Sequence, residues 1–185
     1  RSTRKRSLFP YTTLFRSLFL IMEDSVSVGD VVQIGAFSGT VEDMSLRTIK
    51  LRAYDGTLHI FPYSEAQVIS NSTKIFSYAV FDFPLDHISD IAKALELMKS
   101  IGDEVREDTE FHSMIVAPIE IAGVDRVSEA GVLLKARIRT APGKQWAVQR
   151  EYLRRIRLAF DKAGIVFTQS TTRLITSEPP PPLPR

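Results

Sequence analysis

The chain has 185 residues, 44% hydrophobic and 25% charged, which is the composition of an ordinary globular protein. It contains no cysteine, which excludes a disulfide framework, a thiol nucleophile and cysteine-ligated zinc or iron–sulfur sites. The formal net charge of +2 comes from residues 1–17, which hold five basic and no acidic residues; the rest of the chain has 19 basic and 22 acidic residues, a net charge of −3. A nucleic-acid partner thereby loses its main compositional support.

Residues 1–17 fit nothing that follows them. Residues 7–17 resemble a translated sequencing adapter, and no apolar stretch with a small-residue cleavage site follows the basic start, as a targeting peptide would require. We therefore treat residues 1–17 as a non-native segment. The longest apolar run after it, residues 18–22, is much shorter than the ~20 residues of a membrane-spanning helix. Because the start is foreign, we expect the natural N-terminal sequence to be missing.

Residues 29–73 read as a run of short strands. The predicted pieces are an opening at Gly29 and Asp30, a strand at 31–34, a glycine-bounded turn at 35–39, and strands at 40–44 and 47–53. A unit of about forty residues is near the size below which a metal, disulfides or oligomerisation is needed for folding. Since the sequence shows no metal ligands and no cysteines for a disulfide, we expect self-association through strand edges or apolar faces.

Asp55 and Gly56 predict a hairpin with a two-residue type I′ turn, in which both central residues have positive φ. This loop would pair Ala53 with Leu58, and it would place the apolar residues of both strands on one face. The apolar face would hold Ile49, Leu51, Ala53, Leu58, Ile60 and Pro62, and the polar face Lys50, Arg52, Thr57 and His59.

From Lys74 the pattern changes to alternating strands and helices. The predicted elements are a strand at 75–83 ended by Pro84, a helix at 86–101 followed by Gly102, strands at 114–125 and 131–140, a break at 141–143, a helix at 144–163 closed by Gly164, and a strand at 166–175. This order is the split β-α-β-β-α-β plan of ferredoxin-like domains, with both helices on one side of the sheet.

Basic residues mark two of these elements. In the strand at 131–140, Lys135, Arg137 and Arg139 alternate with apolar residues, so we place this basic row on the helix-free face of the sheet. The second helix also carries a basic set, which is either a solvated surface or part of a charged wall: Arg150, Arg154, Arg155, Arg157 and Lys162. Residues 177–185 contain five prolines and predict an extended polyproline tail, either a partner's ligand or a frayed terminus.

The chemistry-bearing residues form no recognisable site. The histidines His59, His87 and His112 lie on separate elements without ligand-like spacing, and no serine-nucleophile, metalloprotease or phosphate-loop motif occurs. We predict no catalytic site, no metal and no cofactor. The sequence Asn71-Ser72-Thr73 satisfies the glycosylation pattern, but we expect it to end the β unit instead.

Several motifs of residues 23–62 resemble the β domain of the small-conductance mechanosensitive channel family. They are Glu23-Asp24-Ser25-Val26-Ser27-Val28-Gly29-Asp30-Val31-Val32, Gly35-Ala36-Phe37-Ser38-Gly39-Thr40-Val41-Glu42, Leu51-Arg52-Ala53-Tyr54-Asp55-Gly56-Thr57 and Phe61-Pro62. The region that follows is similar to that family's cytosolic α/β domain, and residues 18–24 resemble the end of its pore-lining helix. The chain departs from the family at Gly35-Ala36, often Gly-Gly, and at Pro62-Tyr63-Ser64, often Pro-Asn and a small residue, so conductance and ion preference are not carried over.

The resemblance implies an α+β subunit that is not an enzyme. Its divisions would be 1–17 non-native, 18–28 pore-helix end and link, 29–73 a small Sm-like β domain, 74–176 a ferredoxin-like domain, and 177–185 a disordered tail. The β-domain motif residues would be Gly29, Asp30, Gly35, Gly39, Asp55, Gly56 and Pro62.

The resemblance also implies a homoheptamer in a bacterial inner membrane, with this portion in the cytoplasm and the missing upstream helices in the bilayer. Membrane tension would open the pore and release ions and small osmolytes. Lys135, Arg137 and Arg139 would then be charges of a vestibule near the permeation path.

Two alternatives to a channel stay open. A ferredoxin-like sheet with a basic open face is also how RNA-recognition modules bind RNA, although their signature motif is absent from this chain. The other alternative is a soluble scaffold built from the same two domains.

Overall fold

The computed structural model describes residues 25–66 and 68–168. These residues form a mixed α+β structure with two antiparallel sheets and two α-helices. The predicted pore-helix end at 18–24 and the proline-rich tail at 177–185 lie outside the described residues. Within the described part, no helix has the length and apolar character needed to cross a bilayer.

The first sheet has five strands in the order β4-β3-β2-β1-β5. They are β1 (Val31–Ile34), β2 (Phe37–Met44), β3 (Thr48–Arg52), β4 (Leu58–Pro62) and β5 (Ile69–Asn71). Alternate residues of β1, β2 and β3 face one buried cluster, which includes Val32, Ile34, Val41, Ile49, Leu51 and Tyr63. The predicted bounds of β1 are confirmed, and those of β3 are one residue too long at each end.

The predicted turn at residues 35–39 is too long. The chain reverses at Gly35 and Ala36 alone, and β2 begins at Phe37, which pairs with Ile34. Gly35 supplies the left-handed backbone of this tight turn, with φ of 59°. Gly39 lies inside β2, where a β-carbon would be 2.6 Å from the carbonyl oxygen of Arg52. Glycine at position 39 therefore permits a close approach of two backbones.

The hairpin between β3 and β4 has a three-residue loop, so the predicted type I′ turn is wrong. The Ala53 amide donates to the Thr57 carbonyl at 2.8 Å, and the Gly56 amide donates to the Ala53 carbonyl at 3.0 Å. Gly56 has a φ of 87°, whereas Asp55 keeps a negative φ and accepts a hydrogen bond from the Thr57 amide at 2.9 Å. This is the loop in which glycine forms a bulge after a type I turn.

The longer loop shifts the pairing register by one residue. Arg52 pairs with Leu58, and Leu51 pairs with His59. His59 is therefore on the core side of the sheet, while Ile60 pairs with Lys50 and is 57% exposed. The predicted faces of β4 are exchanged, because a one-residue slip reverses every side chain of a strand.

The second sheet has three strands in the order β6-β8-β7, and two helices cover one of its faces. The elements are β6 (Ser77–Leu85), α1 (Ile91–Glu107), β7 (Glu120–Ser128), β8 (Gly131–Thr140) and α2 (Gln145–Ala163), with a short 3-10 helix at His112–Met114. The buried core between sheet and helices includes Phe81, Phe83, Leu134, Ile138, Met98, Tyr152 and Phe160. The fourth strand of the predicted plan falls mostly outside the described residues, and only the antiparallel bridge of Phe167 to Leu85 represents it.

Pro84 does not end β6, contrary to the prediction. The strand starts two residues later than predicted, after Ile75 with its positive φ of 66°, and it continues through Pro84 to Leu85. The Pro84 carbonyl accepts a hydrogen bond from the Thr168 amide at 2.9 Å, on the side away from β8. The missing proline N–H therefore leaves the ladder to β8 intact.

The bounds predicted for α1 are wrong at both ends. Asp86 belongs to a turn, and the helix begins after Asp90, whose side chain accepts a hydrogen bond from the Lys93 amide at 3.1 Å. Gly102 lies within the helix and is buried, so it is a packing residue and not a terminator. For α2 the prediction is close: the helix ends at Ala163, and Gly164 follows in the left-handed conformation, with φ of 74°.

The predicted bounds of β8 are confirmed, but those of β7 are not. Residues 114–119, predicted as the start of β7, include the end of the 3-10 helix and an isolated bridge of Ile115 to Thr140. The strand itself continues to Ser128, and its pairing with β8 shifts register twice, between Ile121 and Gly123 and between Val124 and Arg126. The spacing of the apolar residues does not predict these two bulges.

Candidate functional surface

The predicted basic row lies on the helix-free face of the second sheet. Along β8, the apolar residues Val132, Leu134, Ala136 and Ile138 are buried against the helices. Lys135, Arg137 and Arg139 alternate with them and are at least partly exposed. The period-two pattern thus positions all three cations on one surface, as predicted.

Two of the three cations are neutralised by carboxylates of β7. The Lys135 ammonium lies 3.2 Å from Asp125, and the Arg137 guanidinium lies 2.7 Å from Glu120. The hydrogen bond that Arg137 donates to Glu120 raises the pKa of Arg137, which holds that pair in its charged form. A groove of about 360 Å³ beside these pairs is lined by Val80, Glu120, Ile121, Ala122, Lys135, Ala136 and Arg137.

Arg139 differs from the other two cations. Among the described residues it has no carboxylate partner, and its guanidinium carbon lies 4.1 Å from the ring centroid of Phe76. Arg137 lies in the same way over Tyr78, at 4.5 Å, and the rings of Phe76 and Tyr78 meet edge to face at 5.5 Å. Two cation–π contacts therefore fix both guanidinium groups against β6 and its leading residues. The face as a whole is mixed in charge, and Arg139 is the one cation of the basic row without a carboxylate partner among the described residues.

The carboxylate partners of the basic row were not predicted from the sequence. Glu120 and Asp125 lie in the predicted strand, but the two bulges of β7 decide which of its side chains reach β8. An available signal was the presence of two carboxylates in a strand next to a basic one.

Three of the five basic residues of α2 form ion pairs, and one of them, Arg155, connects the two helices. Glu151 accepts hydrogen bonds from Arg154 and Arg155, and Arg155 also binds Asp108 at the end of α1. The bonds from Arg154 and then Arg155 lower the pKa of Glu151 to about 2. Arg157 pairs with Asp161 at 3.1 Å, and the exposed Arg150 and Lys162 remain as surface cations. Within the described residues, Arg155 is therefore the cation of α2 that ties the two helices together.

The β-domain motif residues form the turns and the strand ends of the first sheet. Gly29 has a φ of 96°, and its amide donates to the Val41 carbonyl at 2.8 Å. The Asp30 carboxylate accepts hydrogen bonds from the Ser27 amide and from the Asn71 side chain. Pro62 ends β4, and its carbonyl accepts the Glu65 amide at 3.0 Å in the next turn. Together with the roles of Gly35, Gly39, Asp55 and Gly56 described above, these contacts are structural.

The histidines are separate from one another, as predicted. The ring of His59 lies tilted against that of Phe37, with 4.7 Å between the centroids, His87 contacts the Ser128 carbonyl at 2.8 Å, and His112 contacts the Arg106 carbonyl at 3.0 Å. In the residues that the structure describes, no group of three or more histidine, aspartate or glutamate side chains could hold a metal ion.

Two family models match the chain one after the other. Residues 11–74 match the family described as "Mechanosensitive ion channel, beta-domain", and residues 79–167 match "Mechanosensitive ion channel MscS, C-terminal". The first match covers the five-stranded sheet, and the second covers the three-stranded sheet with its helices.

Curated relatives carry the same description. The chain is 34% identical over 167 residues to the small-conductance mechanosensitive channel of Caldanaerobacter subterraneus, covering 89% of this chain and 57% of that protein. It is 29% identical over 174 residues to the moderate conductance mechanosensitive channel YbiO of Escherichia coli, covering 92% of this chain and 24% of that protein. The chain thus spans about half of the first relative and a quarter of the second.

The fold is also found in a solved structure of a channel. The structure of Helicobacter pylori MscS in its closed state superposes with a TM-score of 0.67 at 20% identity, covering 91% of this chain and 66% of that one. This likeness concerns the fold, whereas the two consecutive family matches concern the sequence. The protein belongs to the MscS-like mechanosensitive ion channel family, and the part described contains that family's β domain and its C-terminal domain.

Proposed function

We propose that this chain is the cytosolic portion of a mechanosensitive channel subunit, which releases ions and small osmolytes when the membrane is stretched. The observation that carries the proposal is the occurrence of both family domains, in order, across residues 11–74 and 79–167. The membrane is proposed to be the bacterial inner membrane, with helices upstream of residue 25 forming the pore and the described residues in the cytoplasm.

The proposal includes assembly of identical subunits around the pore, seven of them as the resemblance implies. The β domain supports self-association, because apolar side chains remain exposed on its strands and loops. Examples are Leu46 at 70%, Ile60 at 57% and Val68 at 72%. In addition, the five-stranded sheet ends in β4 and β5, whose outer edges pair with no other described strand.

The helix-free face of the second sheet is the surface that we propose to line part of the permeation path. Lys135 and Arg137 lie beside carboxylates, so their fields are largely cancelled at distances beyond the pair. Arg139 is left to attract anions near this surface. The proposed vestibule charge is therefore carried mainly by Arg139.

We propose no catalytic activity for this portion, and the family to which it belongs is a channel family, not an enzyme family. The RNA-binding alternative receives no support, since the relatives named above are described as channels and two of the three cations of the basic row are ion-paired.

Survival of osmotic downshock tests the proposed function. The complete subunit, with its natural upstream sequence, is expressed in bacteria that lack their own mechanosensitive channels, and the cells are diluted from high-salt to low-salt medium. We expect survival well above that of cells with the empty vector. Survival equal to the empty vector, with the protein present in the membrane fraction, would reject the function.

A further inference from the structure

The beginning and the end of the β domain are joined by one carboxylate. Oδ2 of Asp30 accepts a hydrogen bond from the Ser27 amide at 2.9 Å and another from the side-chain amide of Asn71 at 2.7 Å. Asp30 directly precedes β1, and Asn71 is the last residue of β5. A charge-assisted hydrogen bond thus connects residues 41 positions apart in the sequence.

The Asn71 side chain makes further hydrogen bonds besides the one to Asp30. Its side-chain NH₂ also donates to the Ser25 carbonyl at 3.1 Å, while its side-chain oxygen accepts the Thr73 amide at 3.0 Å. The Thr73 hydroxyl oxygen in turn accepts the Val31 amide at 2.8 Å. The donors and the acceptor of one amide side chain are therefore all used, which fixes its orientation.

The same contacts reach the second sheet. The Ser72 amide donates to the Val31 carbonyl at 2.9 Å, and the Ser77 hydroxyl, at the start of β6, donates to the Ser72 carbonyl at 2.9 Å. Residues 25–31 and residues 71–77 are consequently held side by side by hydrogen bonds, most of them between partly buried groups.

We infer that Asn71 is a positioning residue for gating: with Asp30 it forms a clasp that ties residues 25–31 to the start of the second sheet. The inference rests on the proposed function, in which that segment follows from the pore helices. A movement of the pore helices then has to displace the second sheet or break the clasp. Since the contacts stabilise the conformation seen here, their removal makes it easier to leave that conformation.

Patch-clamp recording of the complete channel tests the inference with four variants. Asn71→Asp places a second carboxylate against Asp30, and Asn71→Ala removes the contact without adding charge. The double variant Asp30→Asn with Asn71→Asp restores an amide–carboxylate pair between the two positions. Ser70→Ala is the matched control, because the exposed Ser70 side chain makes no hydrogen bond within the described residues.

We expect Asn71→Asp and Asn71→Ala to open at lower suction than the wild type, at unchanged single-channel conductance, while Ser70→Ala keeps the wild-type threshold. The double variant should lie between Asn71→Asp and the wild type, because it restores the pair with position 30 but its carboxylate at position 71 cannot donate to the Ser25 carbonyl. An equal or higher threshold in both single variants overturns the inference. A merely structural role of Asn71 would reduce the amount of folded channel in the membrane but would not move its threshold.

Amide hydrogen exchange separates this outcome from a failure of the proposed function. In Asn71→Asp we expect faster exchange across residues 25–31 than in Ser70→Ala, whether or not the protein conducts. If the wild-type protein passes no current under suction, the proposed function fails while the clasp is still tested by exchange. Unchanged exchange across residues 25–31 overturns the clasp even in a conducting channel.

Discussion

Gly102, in the middle of α1, lies directly against the side chain of Ile119: a β-carbon at position 102 would be 2.5 Å from Cγ2 of Ile119. We expect Gly102→Ala to destabilise the protein by about 1–3 kcal/mol, because the added methyl group overpacks this contact. The helix propensity of alanine is higher than that of glycine by about 1 kcal/mol and acts in the opposite direction. The sign of the measured stability change therefore shows which of the two effects is larger. Urea unfolding of the full chain measures the difference.

The control for this prediction is a double-mutant cycle. Shortening the opposing side chain by Ile119→Ala should remove much of the penalty, so that Gly102→Ala costs less in that background than in the wild type. Lys99→Ala, at an exposed site of the same helix, should change stability by less than about 0.5 kcal/mol. A stabilising Gly102→Ala would show that Gly102 is not a packing residue.

The three-residue hairpin loop predicts different costs for two substitutions of Gly56. No atom lies within 4 Å of a β-carbon built at this position, so the cost of a side chain comes from its φ of 87° and not from a clash. We expect Gly56→Ala to destabilise by roughly 1–2 kcal/mol. Gly56→Asn should cost clearly less, since asparagine tolerates left-handed backbone.

Thermal or chemical unfolding measures both Gly56 variants, and a variant of Asp55 distinguishes the two loop types, because Gly56 has a positive φ in either loop whereas Asp55 has one only in the type I′ turn. In the observed loop, Asp55 has a negative φ, so Asp55→Ala should lose only the hydrogen bond to the Thr57 amide, about 1 kcal/mol. Equal penalties for alanine and asparagine at position 56 would contradict the proposed origin of the cost.

Glu151 predicts a pH dependence of stability in the acid range. Because Arg154 and Arg155 lower its pKa in the folded protein from 4.5 to about 2, its contribution is fully present above about pH 4.5 and is lost as the pH falls toward 2. We expect Glu151→Gln to lower stability at pH 7 by on the order of 1 kcal/mol. The difference from the wild type should shrink below pH 4.5 and vanish near pH 2.

The matched control is Asp161→Asn, which removes an ion pair whose two side chains are more than half exposed. It should have little effect at any pH, because solvent screens such pairs. A Glu151→Gln difference that is constant from pH 7 to pH 2 would mean that the ion-pair network does not hold the carboxylate in its charged form.

Arg139 predicts the ion preference of the complete channel. Replacing it by glutamate exchanges the unpaired cation of the basic row for an anion, so the reversal potential in asymmetric KCl should move toward that of potassium. Arg157→Glu, in the helix layer on the opposite side of the sheet, should leave the reversal potential unchanged. An unchanged reversal potential in Arg139→Glu would remove the helix-free face from the permeation path.

The orientation of β8 was predictable, because apolar and basic residues alternate strictly along it and its apolar face is fully buried. Only one orientation of the strand satisfies both conditions. The hairpin was not, since Asp55 and Gly56 fit both a two-residue and a three-residue loop, and the apolar Leu58 and Ile60 favoured the wrong one. The start of α1 was ambiguous because both Asp86 and Asp90 can cap a helix.

The remaining errors arise from contacts between distant segments. From the local sequence alone, Gly102 is expected at the end of a helix. In the structure it lies within the helix, because Ile119 occupies the space that a side chain at position 102 would need. The basic row was placed on the correct face from its period of two, whereas its partners depend on the bulges of β7, which local sequence does not specify. The pairing of Asp30 with Asn71 likewise required the closure of the whole β domain.

The central claim is that this chain, joined to its natural upstream helices, forms a tension-gated pore. Its most direct test is single-channel recording of the purified complete protein in liposome patches under graded suction. We expect discrete currents that are absent at rest and appear reproducibly above a threshold of suction. Patches that contain the inserted protein and stay silent up to the rupture of the bilayer would contradict it.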